Sequence, residues 1–184
     1  MADFGFKVLS EPLPNVFLIG TPQFEDQRGM FTKGYHADFF NTLPAPFEPK
    51  EQFTSLSAKG VLRGMHFQTG KSAQQKLVSC LTGRILDVIV DVRKESPNYN
   101  KPIAIELGET DPVSILIGKG YAHGFLSLAD SSIMHYLTST VHSPKDDKGI
   151  LWSSIDFKWP VMNPSLSPRD EAHPSIGSEQ CTFL

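Results

Sequence analysis

The sequence predicts an all-β protein, and three observations carry that expectation. Short apolar runs rich in Val and Ile recur along the chain, each bounded by Gly or Pro. Helix-period patterns are scarce, and only Tyr35 to Phe40 reads as a short helix. The stretches between the runs leave no room for the crossover helices that a doubly wound α/β sheet needs. One domain over residues 1–184, an antiparallel sandwich or barrel, is therefore expected.

Taken in order, the first 50 residues are punctuated by Pro12, Pro14, Pro22, Pro44, Pro46 and Pro49 and read as edge strands and loops packed on the barrel. Leu77 to Leu81 and Arg84 to Val92, on either side of Thr82-Gly83, read as a β-hairpin. In its second arm Leu86, Val88, Val90 and Val92 share one face, while Asp87 and Asp91 share the other with Ile85 and Ile89. Ile103 to Leu107, Val113 to Ile117 and Ile133 to Thr138 are further strands. The Pro- and Ser-rich stretch after Trp159-Pro160 is expected to wrap the surface and to fray after Ser175.

Composition narrows the function classes. The chain is 40% hydrophobic with 13 Phe, enough to bury a substantial core. Lys and Arg number 17 against 20 Asp and Glu, so the basic excess of a nucleic-acid-binding surface is missing and no nucleic-acid partner is expected. No apolar run approaches the roughly 18 residues of a membrane span. The first residues lack a basic-then-apolar leader, so a cytoplasmic protein is expected. Cys80 and Cys181 form neither a disulfide framework nor a metal knuckle.

Five segments place polar chemistry inside apolar text. Arg63 and His66 flank Gly64 in Arg63-Gly64-Met65-His66-Phe67-Gln68; residues three apart in a regular strand face opposite ways, so a shared site requires a bulge, which Gly64 permits. His123 sits between glycines and aromatics in Gly120-Tyr121-Ala122-His123-Gly124-Phe125. His135 and Tyr136 are adjacent in a strand, so only one can face an interior. Lys76 opens an apolar strand, and Arg169-Asp170 follow Leu166-Ser167-Pro168. Each alone has a blander reading: a satisfied core histidine, a snorkelling lysine, a solvated loop. Neither a Gly-rich phosphate loop nor a Gly-x-Ser-x-Gly elbow is present. His66-Phe67-Gln68 supplies one ligand where a metal-binding cupin strand has His-x-His and Glu, so no metal is expected.

Together these segments resemble the dTDP-4-dehydrorhamnose 3,5-epimerase family. The resemblance rests on Phe24 to Phe31, Gly60 to Gln68, Gln75 to Val78, Gly83 to Asp91, Gly120 to Phe125, Ile155 to Pro160 and Leu166 to Asp170, and runs from about residue 8 to 173. It implies a cupin-like jelly roll, a homodimer, no cofactor and no metal, and a nucleotide-linked 4-keto-6-deoxyhexose as substrate. By position, His66 matches the family's base, Asp170 its carboxylate partner, Tyr136 the proton donor and Lys76 the lysine near the C4 oxygen. Arg28, Arg63, His123, Asp147 and Arg169 match substrate-contacting positions. Lys33 stands where the family carries glutamate, and Glu51-Gln52-Phe53 where it carries Gln-Asp-Asn, so these departures bear on recognition.

The chemistry is consistent with those residue types. A proton beside a ketone is removed by a base of near-neutral pKa, the enolate charge falls on the C4 oxygen, and inversion needs a donor on the other face. A non-catalytic sugar-binding cupin and, below it, a metal-dependent cupin enzyme are the rival readings. Strand parity supplies a check: Tyr136 must share its side with Met134 and Thr138, and His135 must point away.

Overall fold

The computed structural model describes residues 5–181 and 183. Its strands are β1 (Lys7–Leu13), β2 (Val16–Gly20), β3 (Gln23–Asp26), β4 (Gly29–Thr32), β5 (Glu51–Ser57), β6 (Leu62–Gln68), β7 (Lys76–Thr82), β8 (Arg84–Asp91), β9 (Ile103–Gly108), β10 (Val113–Ile117), β11 (Tyr121–Ser127), β12 (Ser132–Thr138) and β13 (Asp147–Gly149), with two short helices, α1 (Ala37–Asn41) and α2 (Pro168–Glu171). Six strands in the order β1-β2-β10-β7-β12-β5 face five in the order β13-β6-β11-β8-β9, and β3 and β4 form a separate hairpin. The strand pairings are antiparallel throughout. The architecture is the two-sheet, cupin-like sandwich expected of the sequence.

Alternation along the strands sorts the apolar side chains into three layers. Val16, Val78, Ile85, Ile89, Ile115, Ile117 and Met134 meet between the sheets. On the outer face of the five-stranded sheet, Leu62, Met65, Phe67, Val88, Val90 and Val92 are covered by Ile150, Ile155, Trp159 and Cys181. On the outer face of the six-stranded sheet, Phe17, Ile19, Leu77 and Leu116 are covered by Phe39 and Phe40 of α1 together with Leu43 and Phe47. The two-face reading of residues 85–92 holds: Ile85 and Ile89 point between the sheets, the valines outward.

One expectation needs correction. The segments joined by Thr82-Gly83 are not a hairpin: β7 pairs with β10 and β12, β8 with β9 and β11. Gly83 has φ of +79°, and a Cβ there would collide with the Ser131 carbonyl. The turn therefore throws the chain from one sheet to the other, and both arms are apolar because both are interior strands. Beyond Ser175 the described residues make contacts with the body of the fold. The Ile176 N–H donates to Ser154 Oγ at 2.9 Å, and Cys181 is buried against the outer layer. Residues 182 and 184 lie outside the described residues.

The bulge anticipated at Gly64 is present. Between the pairs His123↔His66 and Phe125↔Arg63 the register advances by two residues on β11 and three on β6. Gly64 has φ of +143°, and a Cβ on it would stand 2.5 Å from the Gly124 Cα. Replacing it therefore combines backbone strain with overpacking, each about 1–3 kcal/mol. Gly64→Ala is expected to lower stability by roughly 2–5 kcal/mol in urea unfolding. Gly60→Ala, at φ of +79° with open space around it, should lose only about 1 kcal/mol.

Candidate active site

At one end the space between the sheets is not filled by apolar side chains. It opens into a hollow of about 300 Å³. The five-stranded sheet contributes Arg63, His66, His123 and Phe125; the six-stranded sheet contributes Phe53, Ser55, Lys76 and Tyr136; the segment around α2 contributes Ser167, Arg169 and Asp170. The hollow continues into a second recess lined by Glu51, Gln74, His142 and Asp147, and shares Phe53, His66, Lys76 and Arg169 with it.

Local sequence explains how each group is aimed. On β6 the extra residue at Gly64 resets the alternation. Leu62, Met65 and Phe67 join the outer layer, while Arg63 and His66 both face the hollow. Across from them His123 lies in register with His66. On β12 Met134, Tyr136 and Thr138 are buried on one side, and His135 lines a different recess, as parity required. The C-terminal segment returns over the outer layer and forms α2 on the way. There Ser167 Oγ accepts the Asp170 N–H at 3.1 Å, with Pro168 at the first helical position.

That cap sets Asp170 against the imidazole, with His66 Nε2 and Asp170 Oδ1 2.7 Å apart. Burial works to raise the Asp170 pKa, but the nearby His173 imidazole and the hydrogen bond from His66 outweigh it and hold the carboxyl far below its ordinary range. A carboxylate only accepts, so Nε2 carries the proton in the neutral ring and Nδ1 keeps the lone pair. Burial also lowers the His66 pKa, against the upward pull of Asp170. The ring is therefore an unprotonated base at neutral pH.

Lys76 reaches across from the facing sheet and donates from Nζ to the His66 carbonyl at 3.1 Å. Burial brings its pKa down to about 8, with Asp147 and Asp87 pulling the other way, so the amine remains largely charged at neutral pH. Burial pushes the Tyr136 phenol well up, which keeps its proton in place. Phe53 stacks on the Tyr136 ring at 4.6 Å between centroids and 17° between planes, and Ser55 Oγ lies 3.4 Å from the hydroxyl. Arg63 is held from the opposite sheet by Ser57 Oγ at 2.9 Å and the Leu56 carbonyl at 3.1 Å. Asp147 takes Arg169 at 2.7 Å and His142 at 3.0 Å, and Glu51 accepts the His142 backbone N–H at 2.7 Å.

Of the residues singled out in the sequence, His66, Lys76, Tyr136, Asp170, Phe53, Arg63, His123 and Arg169 meet in the hollow, and Glu51 and Asp147 in the recess beside it. Arg28 and Lys33 are not brought there. Arg28 sits at the β3–β4 turn, paired with Asp26 at 2.6 Å, and Lys33 follows β4. Sequence reasoning missed Ser55, His142 and His173. It also left Asp87 as a strand residue, although a carboxylate sharing a face with Ile85 and Ile89 signals a buried polar partner. That partner is His123, whose Nε2 is 2.7 Å from Asp87 Oδ2, with both side chains almost wholly buried. Removing one member of such a pair strands the other. His123→Ala is expected to lower stability by about 3–5 kcal/mol, read from chemical denaturation.

Comparison with known proteins identifies the family. The family model described as dTDP-4-dehydrorhamnose 3,5-epimerase matches residues 10–178. A dTDP-4-dehydrorhamnose 3,5-epimerase of Shigella flexneri is 38% identical over 166 residues, covering 89% of this chain and 92% of its own. The crystal structure of the Bacillus anthracis dTDP-4-dehydrorhamnose 3,5-epimerase, with TDP and PPi bound, superposes with a TM-score of 0.88 at 35% identity, over 92% of this chain and 99% of that one. A Legionella pneumophila dTDP-6-deoxy-D-glucose-3,5-epimerase in complex with dTDP-4-keto-L-rhamnose reaches a TM-score of 0.90 at 27% identity, over 97% of each chain. Among the described residues no helix is long and apolar enough to cross a membrane.

Proposed function

The chain belongs to the dTDP-4-dehydrorhamnose 3,5-epimerase family, and we propose that its hollow inverts C3, C5 or both in a nucleotide-linked 4-keto-6-deoxyhexose by proton transfer between His66 and Tyr136. It is an epimerase of deoxysugar biosynthesis acting on a nucleotide sugar. One observation carries the assignment of roles. The candidate base stands on one sheet and the candidate acid on the sheet facing it, and the Lys76 ammonium lines the same hollow.

His66 Nδ1 takes the proton from the carbon beside the ketone. The C–H electron pair moves into the ring C–C bond, and the carbonyl π pair moves onto the C4 oxygen. Lys76 stabilises that oxyanion as it forms, an effect commonly worth about 3 kcal/mol. Asp170 fixes the tautomer and balances the imidazolium, as the carboxylate does in triad chemistry. Tyr136 then delivers its proton to the other face of the same carbon, and the ketone re-forms with the centre inverted. Imidazolium and phenolate reset by exchange with water.

Recognition falls to Arg63, Arg169 and the residues at the mouth. Phe53 offers a ring face, and Glu51 and Asp147 offer carboxylates. Arg28 and Lys33, together with the exposed Phe24, Met30 and Phe31 on the same hairpin, fit a homodimer. A second copy covering this hairpin would bury those rings and bring two cations near a nucleotide diphosphate.

Incubating the protein in D₂O with dTDP- and other nucleotide-linked 4-keto-6-deoxyhexoses should place deuterium at C3 or C5; no exchange with any of them rules the assignment out. His66→Ala should cut exchange by about 10²–10⁴ with nucleotide-sugar binding retained. Tyr136→Phe should slow inversion more than wash-in at the centre that His66 deprotonates. The pH–rate profile should fall on the acid side below the ordinary histidine value of about 6.5, where His66 protonates. It should fall again as pH rises through about 8, where Lys76 loses its charge. In Lys76→Arg the second limb should vanish, since guanidinium stays charged.

A further inference from the structure

We propose that His66, Asp170 and His173 form a site for a divalent transition-metal ion, zinc foremost, and that occupying it switches the base off. His173 lies three residues beyond Asp170 and is not used in the proton-transfer scheme. Its Nε2 is buried without a hydrogen-bond partner and sits 3.6 Å from Asp170 Oδ1. Its ring meets that of His66 edge-on, centroids 5.4 Å apart. One ligand atom from each of the three residues lies within 4.8 Å of the other two.

The space for this second imidazole comes from Gly149. It faces His66 in register on β13, and a Cβ there would collide with the His173 ring. Tetrahedral zinc, with bonds of about 2.0–2.2 Å, spaces its ligand atoms roughly 3.3 Å apart. The two distances measured to Asp170 Oδ1, 2.7 and 3.6 Å, fall on either side of that value. Two imidazoles and one carboxylate suit zinc, cobalt or nickel better than calcium or magnesium.

The consequence for catalysis rests on the reading of His66 as the base. A metal bound to Nε2 takes that nitrogen's lone pair, and the ring proton moves to Nδ1. No net proton is released, and the ring no longer has a free lone pair for a substrate C–H. Asp170 is drawn onto the ion at the same time.

Metal-free full-length protein is titrated with Co²⁺ alone, then with Zn²⁺ as competitor, reading visible absorption and stoichiometry. One Co²⁺ per chain is expected, displaced by Zn²⁺. His173→Ala and His173→Gln, both checked for folding by circular dichroism, should weaken binding at least about tenfold, since losing an outer-shell partner alone commonly costs 10–100-fold. His135→Ala, on the opposite face of its strand, should bind like the unaltered protein. Absence of bound Co²⁺, or binding unmoved in both His173 variants, overturns the site. In parallel, Zn²⁺ should suppress deuterium exchange and a chelator should restore it. Zinc bound at one per chain with exchange unimpaired overturns the switch. A metal-free protein without exchange overturns the base assignment instead, and the Co²⁺ titration still decides the site.

Discussion

Gly64 on β6 and Gly124 on β11 touch backbone to backbone, and the site depends on that contact. Two antiparallel strands approach this closely only where neither carries a Cβ. The contact accommodates one extra residue in β6, and the extra residue turns Arg63 and His66 to the same side. In a regular strand one of them would enter the outer layer among Ile150, Ile155 and Trp159, where a charge or an imidazole finds no partner. Because the bulge keeps that layer apolar, the C-terminal segment can seal onto it. Within the sealed segment, α2 carries Asp170 back to the imidazole. One steric constraint thus positions the ring directly and its carboxylate partner indirectly.

The two histidines in register across β6 and β11 show how burial divides roles between similar pairs. Each has a carboxylate oxygen 2.7 Å from Nε2. The His123 side chain is 5% exposed and that of Asp87 0%, whereas the His66 side chain is 27% exposed. The first pair is almost wholly buried at the wall of the hollow. The second keeps one edge of its ring toward the opening, where a ligand can reach it. Desolvation lowers the pKa of both His66 and Lys76, and the result is complementary: the imidazole stays neutral and the amine stays charged over the same pH interval.

Much of this was legible because strands advertise themselves by alternation. The faces of residues 85–92, the inward Tyr136 and the need for a bulge at Gly64 all follow from a period of two. The Gly83 turn was misread because an apolar run, a glycine and another apolar run look the same whether the arms pair with each other or belong to facing sheets. Only long-range pairing decides that, and it is absent from local text. His173 went unremarked for a related reason. Its meaning comes from Gly149, which is distant in sequence, and from a helical turn of four residues too short to leave a periodic pattern. Arg28 and Lys33 could be matched by motif, yet their place is fixed by a hairpin that stands apart from both sheets.

With the proposed base and acid on facing sheets, inversion would be a property of the sandwich rather than of any loop. Packed sheets stand about 10 Å apart, enough for a sugar ring where inward side chains are short or drawn aside. His66, Lys76 and Tyr136 are rooted in β6, β7 and β12, whose registers are fixed by pairing on both edges. By contrast, Glu51 and Phe53 lie on β5, the edge strand of its sheet, at the mouth of the hollow. An edge strand tolerates exchange of side chains without disturbing a ladder on its free side. Recognition can therefore diverge at residues 51–53 while the proton-transfer geometry stays locked. Phe53 couples the two, since it stacks on Tyr136 and a change in the mouth reaches the phenol through it.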